Sequence, residues 1–440
     1  MTKIPAQRTF GSLVENIVAL YGAHFCNYIL PLLTIPYCVR VLGPRAWGLV
    51  AFSQAFGIFS GLIVEYGFGL SAVREVARHR DSVEDLSTLV AGVMGARVLL
   101  MSGSVVLGCL FQLIAPAFPE GSGILWAGMF WGIVGALNPM WFFQGLERMR
   151  VVATADVLAK VIATAAIFAA VHSPADAWRV LIAMSVGSLV STATGLILIY
   201  REVEFRVPTV TDTTDALRGG WTMFLYRSSA SLYTAGNAFV LGMLAPPQIV
   251  GYFAGAEKMI RALLGLFNPI NQAIFPRLSH LAHHSPSSAA KLSRWNLLFM
   301  LGAGGTMCIG VLIFAPWLVH VFLGRALTPS ITVVRVLSLL LPLVAVNLAL
   351  GVQWVLPLGL DKPFTLVVLL AGILNLLLAA VLAPLYAHVG MAWAVVIAET
   401  IATVGLYIIL RRAGVEPFRN RDEVAEHEES CDAAFASVEN

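Results

Sequence analysis

Charged side chains are scarce in this chain: Asp, Glu, Lys and Arg make up only 12% of its 440 residues. A soluble globular domain carries about 25%. Hydrophobic residues reach 58%, and the mean hydropathy is +0.81. Too little polar surface remains to cover a water-soluble body of this size. The composition therefore excludes a cytosolic enzyme, a secreted disulfide scaffold and a disordered chain, and it indicates a polytopic helical membrane protein.

Cysteine is also sparse and is not clustered. The five cysteines are Cys26, Cys38, Cys109, Cys308 and Cys431. No Cys-x-x-Cys spacing and no Cys/His cluster occurs, so neither a disulfide framework nor a metal site is supported. The sequence also lacks a phosphate-binding loop and a nucleophile elbow, and we expect no cofactor. The formal net charge of +3 gives no overall basic character that would indicate a nucleic-acid partner.

The apolar residues are grouped into runs long enough to cross a bilayer, which takes about 20 residues per helix. Twelve such runs lie near residues 14–40, 47–71, 88–115, 124–143, 152–171, 179–200, 221–244, 249–275, 295–314, 331–356, 364–387 and 391–410. We predict an all-α integral membrane protein with about twelve transmembrane helices. Lys and Arg are concentrated in alternate connections and are few in the others, which hold only Arg40, Arg45, Arg179 and Arg325. This bias predicts that both termini are cytoplasmic.

The two halves of the chain share short motifs in the same order. Leu42-Gly43 followed by Gly48-Leu49-Val50-Ala51 is similar to Leu241-Gly242 followed by Gly251-Tyr252-Phe253-Ala254, and Gly145-Leu146-Glu147-Arg148 is similar to Gly359-Leu360-Asp361-Lys362. Halves with an even number of helices have the same topology, as in repeats related by an axis along the membrane normal. We predict two six-helix lobes related by pseudo-two-fold symmetry. The N-terminal lobe and the inter-lobe connection cover residues 1–219, the C-terminal lobe covers residues 220–410, and a polar tail covers residues 411–440.

Eleven ionisable residues lie inside the predicted helices. The basic ones are Arg97, Lys160, Arg227, Lys258, Arg261 and Arg335, and the acidic ones are Glu15, Glu65, Asp156, Glu257 and Glu399. Each charge costs at least about 2.5–3.5 kcal/mol at the centre of a bilayer, so these groups must be paired, extend to the interface or face a water-filled interior. The pairs Asp156/Lys160 and Glu257/Arg261 are four residues apart and lie on one helix face.

Arg227, Lys258 and Glu399 lie several residues from either helix end and have no obvious partner nearby in the sequence. Arg97 lies at an intermediate depth in its helix. Arg227, Ser231 and Thr234 form a polar stripe on one helix, as do Glu257, Arg261 and Asn268 on the next. Two readings of the basic group stay open: structural pairing between helices, or a hydrated cavity of net positive charge between the lobes. Pro31 and Pro36, Asn138-Pro139 and Asn268-Pro269 further predict broken helices, which are tolerated only against protein or water.

Several motifs together resemble those of Wzx-type oligosaccharide flippases. They are Leu30-Pro31-Leu32-Leu33-Thr34-Ile35-Pro36-Tyr37, Arg40-Val41-Leu42-Gly43-Pro44, Trp47-Gly48, Tyr66-Gly67-Phe68, Ser71-Ala72-Val73-Arg74-Glu75, Trp141-Phe142-Phe143-Gln144-Gly145-Leu146-Glu147, Gly251-Tyr252-Phe253-Ala254-Gly255-Ala256-Glu257-Lys258, Pro276-Arg277-Leu278-Ser279 and Leu358-Gly359-Leu360-Asp361-Lys362. The resemblance covers residues 14–410 and leaves the acidic tail without a counterpart. This family belongs to the multidrug, oligosaccharidyl-lipid and polysaccharide exporter superfamily.

The resemblance implies a transporter of undecaprenyl-pyrophosphate-linked oligosaccharide repeat units across the bacterial inner membrane, for surface polysaccharides such as O-antigen or exopolysaccharide. It also implies a lumen lined by basic residues and coupling to a proton or sodium gradient in some members. A polysaccharide polymerase and a chain-length regulator are candidate partners. We expect Arg227, Lys258, Arg261, Lys160 and Arg97 to line a cationic substrate cavity. The candidates for binding the driving ion are Glu399, Glu257, Asp156 and Glu65.

Two alternative functions share the expected membrane topology. A drug or metabolite cation antiporter of the same superfamily would favour an acidic cavity, which the six basic and five acidic membrane residues argue against only mildly. A glycan polymerase would need polar catalytic residues in a sizeable outer loop. The longest predicted outer segment, near residues 315–330, contains one Arg and one His. That leaves little room for a sugar-transfer site.

Overall fold

The computed structural model describes residues 10–114 and 122–414. The tail beyond residue 414, including Cys431, and the side chains of Glu15, Ser231 and Thr234 lie outside the described residues. All of the regular structure in the described ranges is helical, as the composition predicted.

Among the described residues, the first half of the chain contains seven α-helices: α1 (Phe10–Glu65), α2 (Phe68–Arg78), α3 (Val83–Ile114), α4 (Ser122–Ala136), α5 (Met140–Gly145), α6 (Arg150–Ala170) and α7 (Ala177–Glu202). The second half, as far as Gly414, contains seven more: α8 (Val210–Leu244), α9 (Pro247–Leu264), α10 (Asn268–His284), α11 (Pro286–Phe322), α12 (Ser330–Ser338), α13 (Leu340–Asn347) and α14 (Asp361–Arg412). A π-helical segment, Leu348–Val355, continues α13.

Within the described residues, eight helical stretches are long and apolar enough to cross a membrane. Ile29–Arg78 and Asp361–Arg412 hold 50 and 52 residues, which is about twice the length that one crossing needs. Each is bent once inside a helix, α1 at Gly43 (φ 71°, ψ 176°) and α14 at Ala387 (φ 50°, ψ −130°). Each stretch is therefore a pair of spans, and α8 and α9 complete the predicted set of twelve in the described part of the chain.

The structure corrects several predicted boundaries. Pro31 and Pro36 do not break the first helix, because the non-helical backbone inside α1 lies at Gly43. Breaks do occur at Asn138-Pro139, between α4 and α5, and before Asn268-Pro269, where a single 3₁₀ turn (Gly265–Phe267) separates α9 from α10. The segments predicted as connections near 201–219 and 315–330 are helical from Val210 and up to Phe322, respectively.

In the part of the chain that the structure describes, the helices form two lobes of six spans, α1–α7 and α8–α14. At one end of the bundle, the α1 segment after Gly43 packs on α9, where Gly48 and Gly251 bring the two backbones into contact. At the other end, Tyr66 stacks on Phe224 of α8 with ring centroids 4.8 Å apart. Small residues allow such close helix contacts, as at Gly57 and Gly128 between α1 and α4. The α1 segment after Gly43 therefore contacts the opposite lobe at both of its ends.

Candidate functional site

Arg227 of α8 pairs with Glu65 across the two lobes. The Arg227 Nε atom lies 3.3 Å from Glu65 Oε2. The same carboxylate accepts hydrogen bonds from the backbone N–H groups of Gly67 (3.1 Å) and Gly69 (2.8 Å) at the start of α2. Glu65 is therefore held in place by its own lobe and contacts Arg227 of the other lobe through Oε2. The Arg227 side chain remains 44% exposed.

Lys258 of α9 also contacts the opposite lobe, but its partner is neutral. Its Nζ donates a 2.6 Å hydrogen bond to Gln54 Oε1 in α1 and lies 4.9 Å from the centre of the Trp47 ring. An amide oxygen and an aromatic face stabilise an ammonium group without cancelling its charge. Lys258 therefore brings a positive charge to the boundary between the lobes.

Arg261 lies one turn beyond Lys258 and pairs within its own helix. Its Nη2 and Nε lie 2.8 and 3.2 Å from Glu257 Oε1. Asn237 of α8 donates to the same Glu257 oxygen at 3.3 Å, and Asn375 of α14 donates to Asn237 Oδ1 at 2.7 Å. A chain of polar side chains thus crosses the C-terminal lobe from α9 through α8 to α14.

Glu399 of α14 is buried in the same lobe, with 6% of its surface exposed. Asn347 Nδ2 donates a 2.6 Å hydrogen bond to Glu399 Oε1. Glu399, Glu257, Asn237 and Arg261 line a small cavity of about 60 Å³, the carboxylate pocket. The Oδ1 atoms of Asn347 and Asn375 are buried without a hydrogen-bond partner in the described part of the chain. This region of the lobe is therefore rich in oxygen acceptors.

The pair Asp156/Lys160 lies in the other lobe. Lys160 Nζ lies 2.7 Å from Asp156 Oδ2, as the four-residue spacing predicted. Ser191 of α7 donates to Asp156 Oδ1 at 3.1 Å, and Asn138 Nδ2 donates to Ser191 Oγ at 3.2 Å. The pair is therefore held in place by the broken end of α4 and by α7.

Arg97 of α3 has a different environment, with only 1% of its surface exposed. Its Nη1 donates a 3.0 Å hydrogen bond to the Leu137 carbonyl at the α4–α5 break. Its guanidinium lies 5.9 Å from the Phe68 ring centre and 5.7 Å from that of Trp141. This placement gives Arg97 a packing role inside the N-terminal lobe.

A cavity of about 350 Å³ lies between the lobes, and we call it the interlobe cavity. Its lining is formed by α1 (Pro31, Leu32, Ile35, Pro36), by α9 (Lys258, Met259, Arg261, Ala262, Leu263), and by α11 with the residue that follows it (Leu318, Phe322, Leu323). The walls are apolar apart from the two basic side chains. Lys258 and Arg261 thus place positive charge beside an apolar surface, with their charged ends bonded to Gln54 and Glu257.

The structure brings together some of the predicted residues and separates others. Lys258 and Arg261 share the interlobe cavity, and Glu257 and Glu399 share the carboxylate pocket. Asp156 and Lys160 line another cavity in the N-terminal lobe. Arg227 and Glu65 lie at the end of the bundle marked by Tyr66. The basic residues thus occupy several sites in the described structure.

The sequence analysis did not identify the neutral residues that contact these charges: Gln54, Asn237, Asn347, Asn375 and Ser191. Their occurrence inside apolar runs could have indicated them, because an amide in a membrane helix must bond to a partner or to water. Only the helix packing reveals which charge each amide contacts.

Comparisons with known proteins agree with this architecture. A family model described as "Polysaccharide biosynthesis protein" matches residues 13–282. The chain is 28% identical over 402 residues to a "Putative O-antigen transporter" of Escherichia coli (strain K12), covering 91% of this chain and 97% of the relative. It is 30% identical over 400 residues to a protein of the same description from Shigella dysenteriae, covering 88% and 97%.

Two solved structures show a similar fold. "Lipid II flippase MurJ, inward closed conformation" superposes with a TM-score of 0.67 at 12% identity, covering 90% of this chain and 87% of that one. The MATE multidrug transporter DinF-BH superposes with a TM-score of 0.51 at 16% identity, covering 93% and 98%. At these identities the likeness concerns the fold alone.

Proposed function

The chain belongs to the polysaccharide biosynthesis protein family, and we propose that it is a flippase for undecaprenyl-pyrophosphate-linked oligosaccharide repeat units. It moves these units from the cytoplasmic to the periplasmic leaflet of the bacterial inner membrane for the synthesis of surface polysaccharide. Its O-antigen transporter relatives support this class of substrate. It forms no covalent intermediate, because transport requires only binding and a change of conformation.

The observation that carries the proposal is the composition of the interlobe cavity. The substrate has a polyprenyl tail, a doubly charged pyrophosphate and a hydrophilic glycan, and only the last two resist crossing hydrocarbon. Apolar walls from α1 and α11 suit the start of the tail, and Lys258 and Arg261 suit the pyrophosphate. Charge-assisted hydrogen bonds to phosphate oxygens are about twice as strong as neutral ones. A lipid-linked anion therefore fits this cavity better than a cationic drug does.

Transport proceeds by rocking of the two lobes, which exposes the substrate to alternate faces of the membrane. The contact of Gly48 with Gly251 closes one end of the interface, and the Glu65–Arg227 pair with the Tyr66–Phe224 stack bridges the other. Arg227 carries a partly exposed charge at that second end, where the incoming pyrophosphate or an acidic sugar is first attracted.

Transport is driven by an ion gradient that acts at the carboxylate pocket. Glu399 and Glu257 supply the negative charge. The two unpartnered amide oxygens belong to Asn347, which bonds to Glu399, and to Asn375, which bonds to Asn237. A proton or a sodium ion bound there neutralises the pocket. Because Glu257 is also the partner of Arg261, an ion bound to Glu257 leaves the positive charge of Arg261 less neutralised beside the interlobe cavity.

Both termini lie in the cytoplasm. A polymerase and a chain-length regulator act on the exported units.

Deletion of the gene, followed by analysis of lipid-linked intermediates and surface polysaccharide, tests the proposal. Complete repeat units should accumulate on the inner leaflet, and the wild-type gene should restore export. Losing one charge-assisted hydrogen bond of about 1.5–3 kcal/mol should lower export about tenfold or more in the Lys258→Gln and Arg261→Gln variants.

Arg218→Gln is the matched control, since this arginine is largely exposed and pairs weakly with Asp215 at 3.8 Å. Its export should remain at the wild-type level. Normal translocation with failed chain growth in the deletion strain would contradict the proposal and indicate a polymerase. Normal glycan export with altered resistance to cationic drugs would indicate an antiporter.

A further inference from the structure

The N-terminal lobe contains a second cavity, which is larger than the interlobe cavity. Its volume is about 500 Å³, and it lies among α1, α4, α6 and α7. We call it the N-lobe cavity. Pro31 of α1 lines both cavities, so the two lie along the same turn of that helix. A volume of this size, with mostly apolar walls and a few converging polar groups, is typical of a small-molecule site.

Apart from the α1 residues, the lining of the cavity comes mainly from α4, α6 and α7, at helical spacing on α4 and α6. Trp131, Gly135 and Asn138 come from α4 and its broken end, and Asp156, Lys160 and Thr164 follow each other on one face of α6. Ser188 and Gly187 come from α7. The helices thus turn an aromatic ring, an amide, an ion pair and two hydroxyl groups toward one space.

Two of these polar groups have no partner of their own. The hydroxyls of Thr164 and Ser188 make no hydrogen bond within the described part of the chain, whereas most other Ser and Thr hydroxyls on these helices bond to a carbonyl four residues earlier. A polar group without a partner is costly in a membrane interior. Because both hydroxyls lie on the cavity wall, they are available to a ligand in the cavity.

The charge of the cavity is balanced. Asp156 and Lys160 pair at 2.7 Å, and Ser191 and Asn138 fix the carboxylate from behind. A balanced pair offers both donors and acceptors without attracting a strong anion. It therefore suits hydroxyl groups, which donate and accept at once, better than a pyrophosphate.

The shape of the cavity also fits a ring. A Cβ atom placed on Gly135 would meet no atom within 4 Å, so the missing side chain leaves open space beside Trp131. An indole face is apolar and stacks on the C–H face of a pyranose, while the hydroxyls at the ring edge remain free to bond. We propose that the N-lobe cavity binds a sugar ring of the transported glycan, with Trp131 as its stacking surface and Thr164, Ser188 and the Asp156/Lys160 pair as its hydrogen-bonding partners. This assignment rests on the proposed function and adds a glycan subsite to it.

Binding measurements on the full-length protein in detergent, with two separate probes, test the assignment. The first probe is the free oligosaccharide released by mild acid from the lipid-linked intermediates of the deletion strain. The second is farnesyl pyrophosphate, which has a tail and a pyrophosphate but no sugar. The double variant Thr164→Val/Ser188→Ala should bind the oligosaccharide about tenfold or more weakly, because it loses two hydrogen bonds. Its affinity for farnesyl pyrophosphate should not change.

A second variant fills the cavity instead of removing polar atoms. Gly135→Leu places a side chain in the open space, so it should abolish oligosaccharide binding and leave farnesyl pyrophosphate binding intact. Gly123→Leu is its matched control, because it lies on the same helix with nothing within 4 Å of its added Cβ. Thr154→Val and Thr194→Val are the controls for the hydroxyl changes, since these hydroxyls bond to the Arg150 and Val190 carbonyls and are exposed.

The two proposals fail in different ways. If wild-type protein binds farnesyl pyrophosphate but not the oligosaccharide, or if Gly135→Leu binds the oligosaccharide normally, the glycan subsite is wrong and the flippase assignment stands. If wild-type protein binds neither probe, both assignments are contradicted.

Discussion

Gly48 and Gly251 lie against each other at the boundary between the lobes, and they belong to the two motifs that the sequence predicts to be repeats of each other. A Cβ on Gly48 would fall on the Pro247 carbonyl and 2.8 Å from Gly251 N. A Cβ on Gly251 would fall on the Pro44 carbonyl and 3.2 Å from Gly48 N. The two sequence motifs that suggested an internal repeat thus contact each other across the lobe boundary.

This contact predicts that neither glycine tolerates a methyl group. Because the obstacle is backbone, which cannot rotate away, Gly48→Ala or Gly251→Ala should force the helices apart and cost about 1–3 kcal/mol or more. The lobes should then fail to close at this end, and glycan export in complemented deletion cells should fall sharply. Gly103→Ala and Gly310→Ala are controls, as nothing lies within 4 Å of the added atom in either case. Equal export by all four variants would mean that this contact does not matter for transport.

Charge reversal at the basic residues tests their proposed role in substrate binding. Arg227→Glu places two carboxylates together at Glu65, and Lys258→Glu replaces a positive charge on the interlobe cavity with a negative one. Both variants should reach the membrane but lose glycan export, as measured by surface polysaccharide and membrane immunoblotting. Normal export by both would show that the cationic residues are not part of the substrate path.

Gln54 separates a substrate-binding role of Lys258 from a structural one. Gln54→Leu removes the acceptor of the 2.6 Å hydrogen bond but keeps the positive charge. If the positive charge of Lys258 binds the substrate, Gln54→Leu should reduce glycan export far less than Lys258→Met does. The thermal stability of both purified variants should be measured in parallel. A similar loss of export in both would indicate that the bond between the lobes, and not the charge, is what matters.

Arg97 should matter for stability more than for substrate binding. Arg97→Ala leaves the Leu137 carbonyl without its donor and removes a side chain packed between Phe68 and Trp141. We expect a loss of about 2–4 kcal/mol, seen as a lower melting temperature in detergent. Farnesyl pyrophosphate binding by the fraction that remains folded should be unchanged. Weaker binding at full stability would instead place Arg97 in the substrate site.

Glu399 tests the coupling to an ion gradient. Glu399→Gln keeps the shape of the side chain and its contact with Asn347 but removes the negative charge. In proteoliposomes, transport driven by an imposed proton or sodium gradient should fall to the level seen without a gradient. Glu202→Gln, which changes an exposed carboxylate paired with Arg148, is the matched control. Gradient-driven transport that persists in Glu399→Gln would exclude this carboxylate as the coupling site.

The sequence predicted the intrahelical pairs but not the pairs between lobes. Asp156/Lys160 and Glu257/Arg261 follow from a spacing of four residues, because one helical turn places both side chains on the same face. The partner of Lys258 lies 204 residues away, at Gln54. Arg97 was predicted to face a cavity and is packed against aromatic rings instead. Nothing local to α3 indicates which way that face turns.

The sequence by itself determined the class of protein and the set of spans. In a bilayer the backbone N–H and C=O groups of each apolar run must bond within that run. Each run therefore forms a helix independently of the others. Only the tertiary structure decided which charges meet, where Gly48 approaches Gly251, and that the polar residues are divided among several cavities. These features depend on the rotation and crossing of helices far apart in the chain, which hydropathy and spacing do not specify.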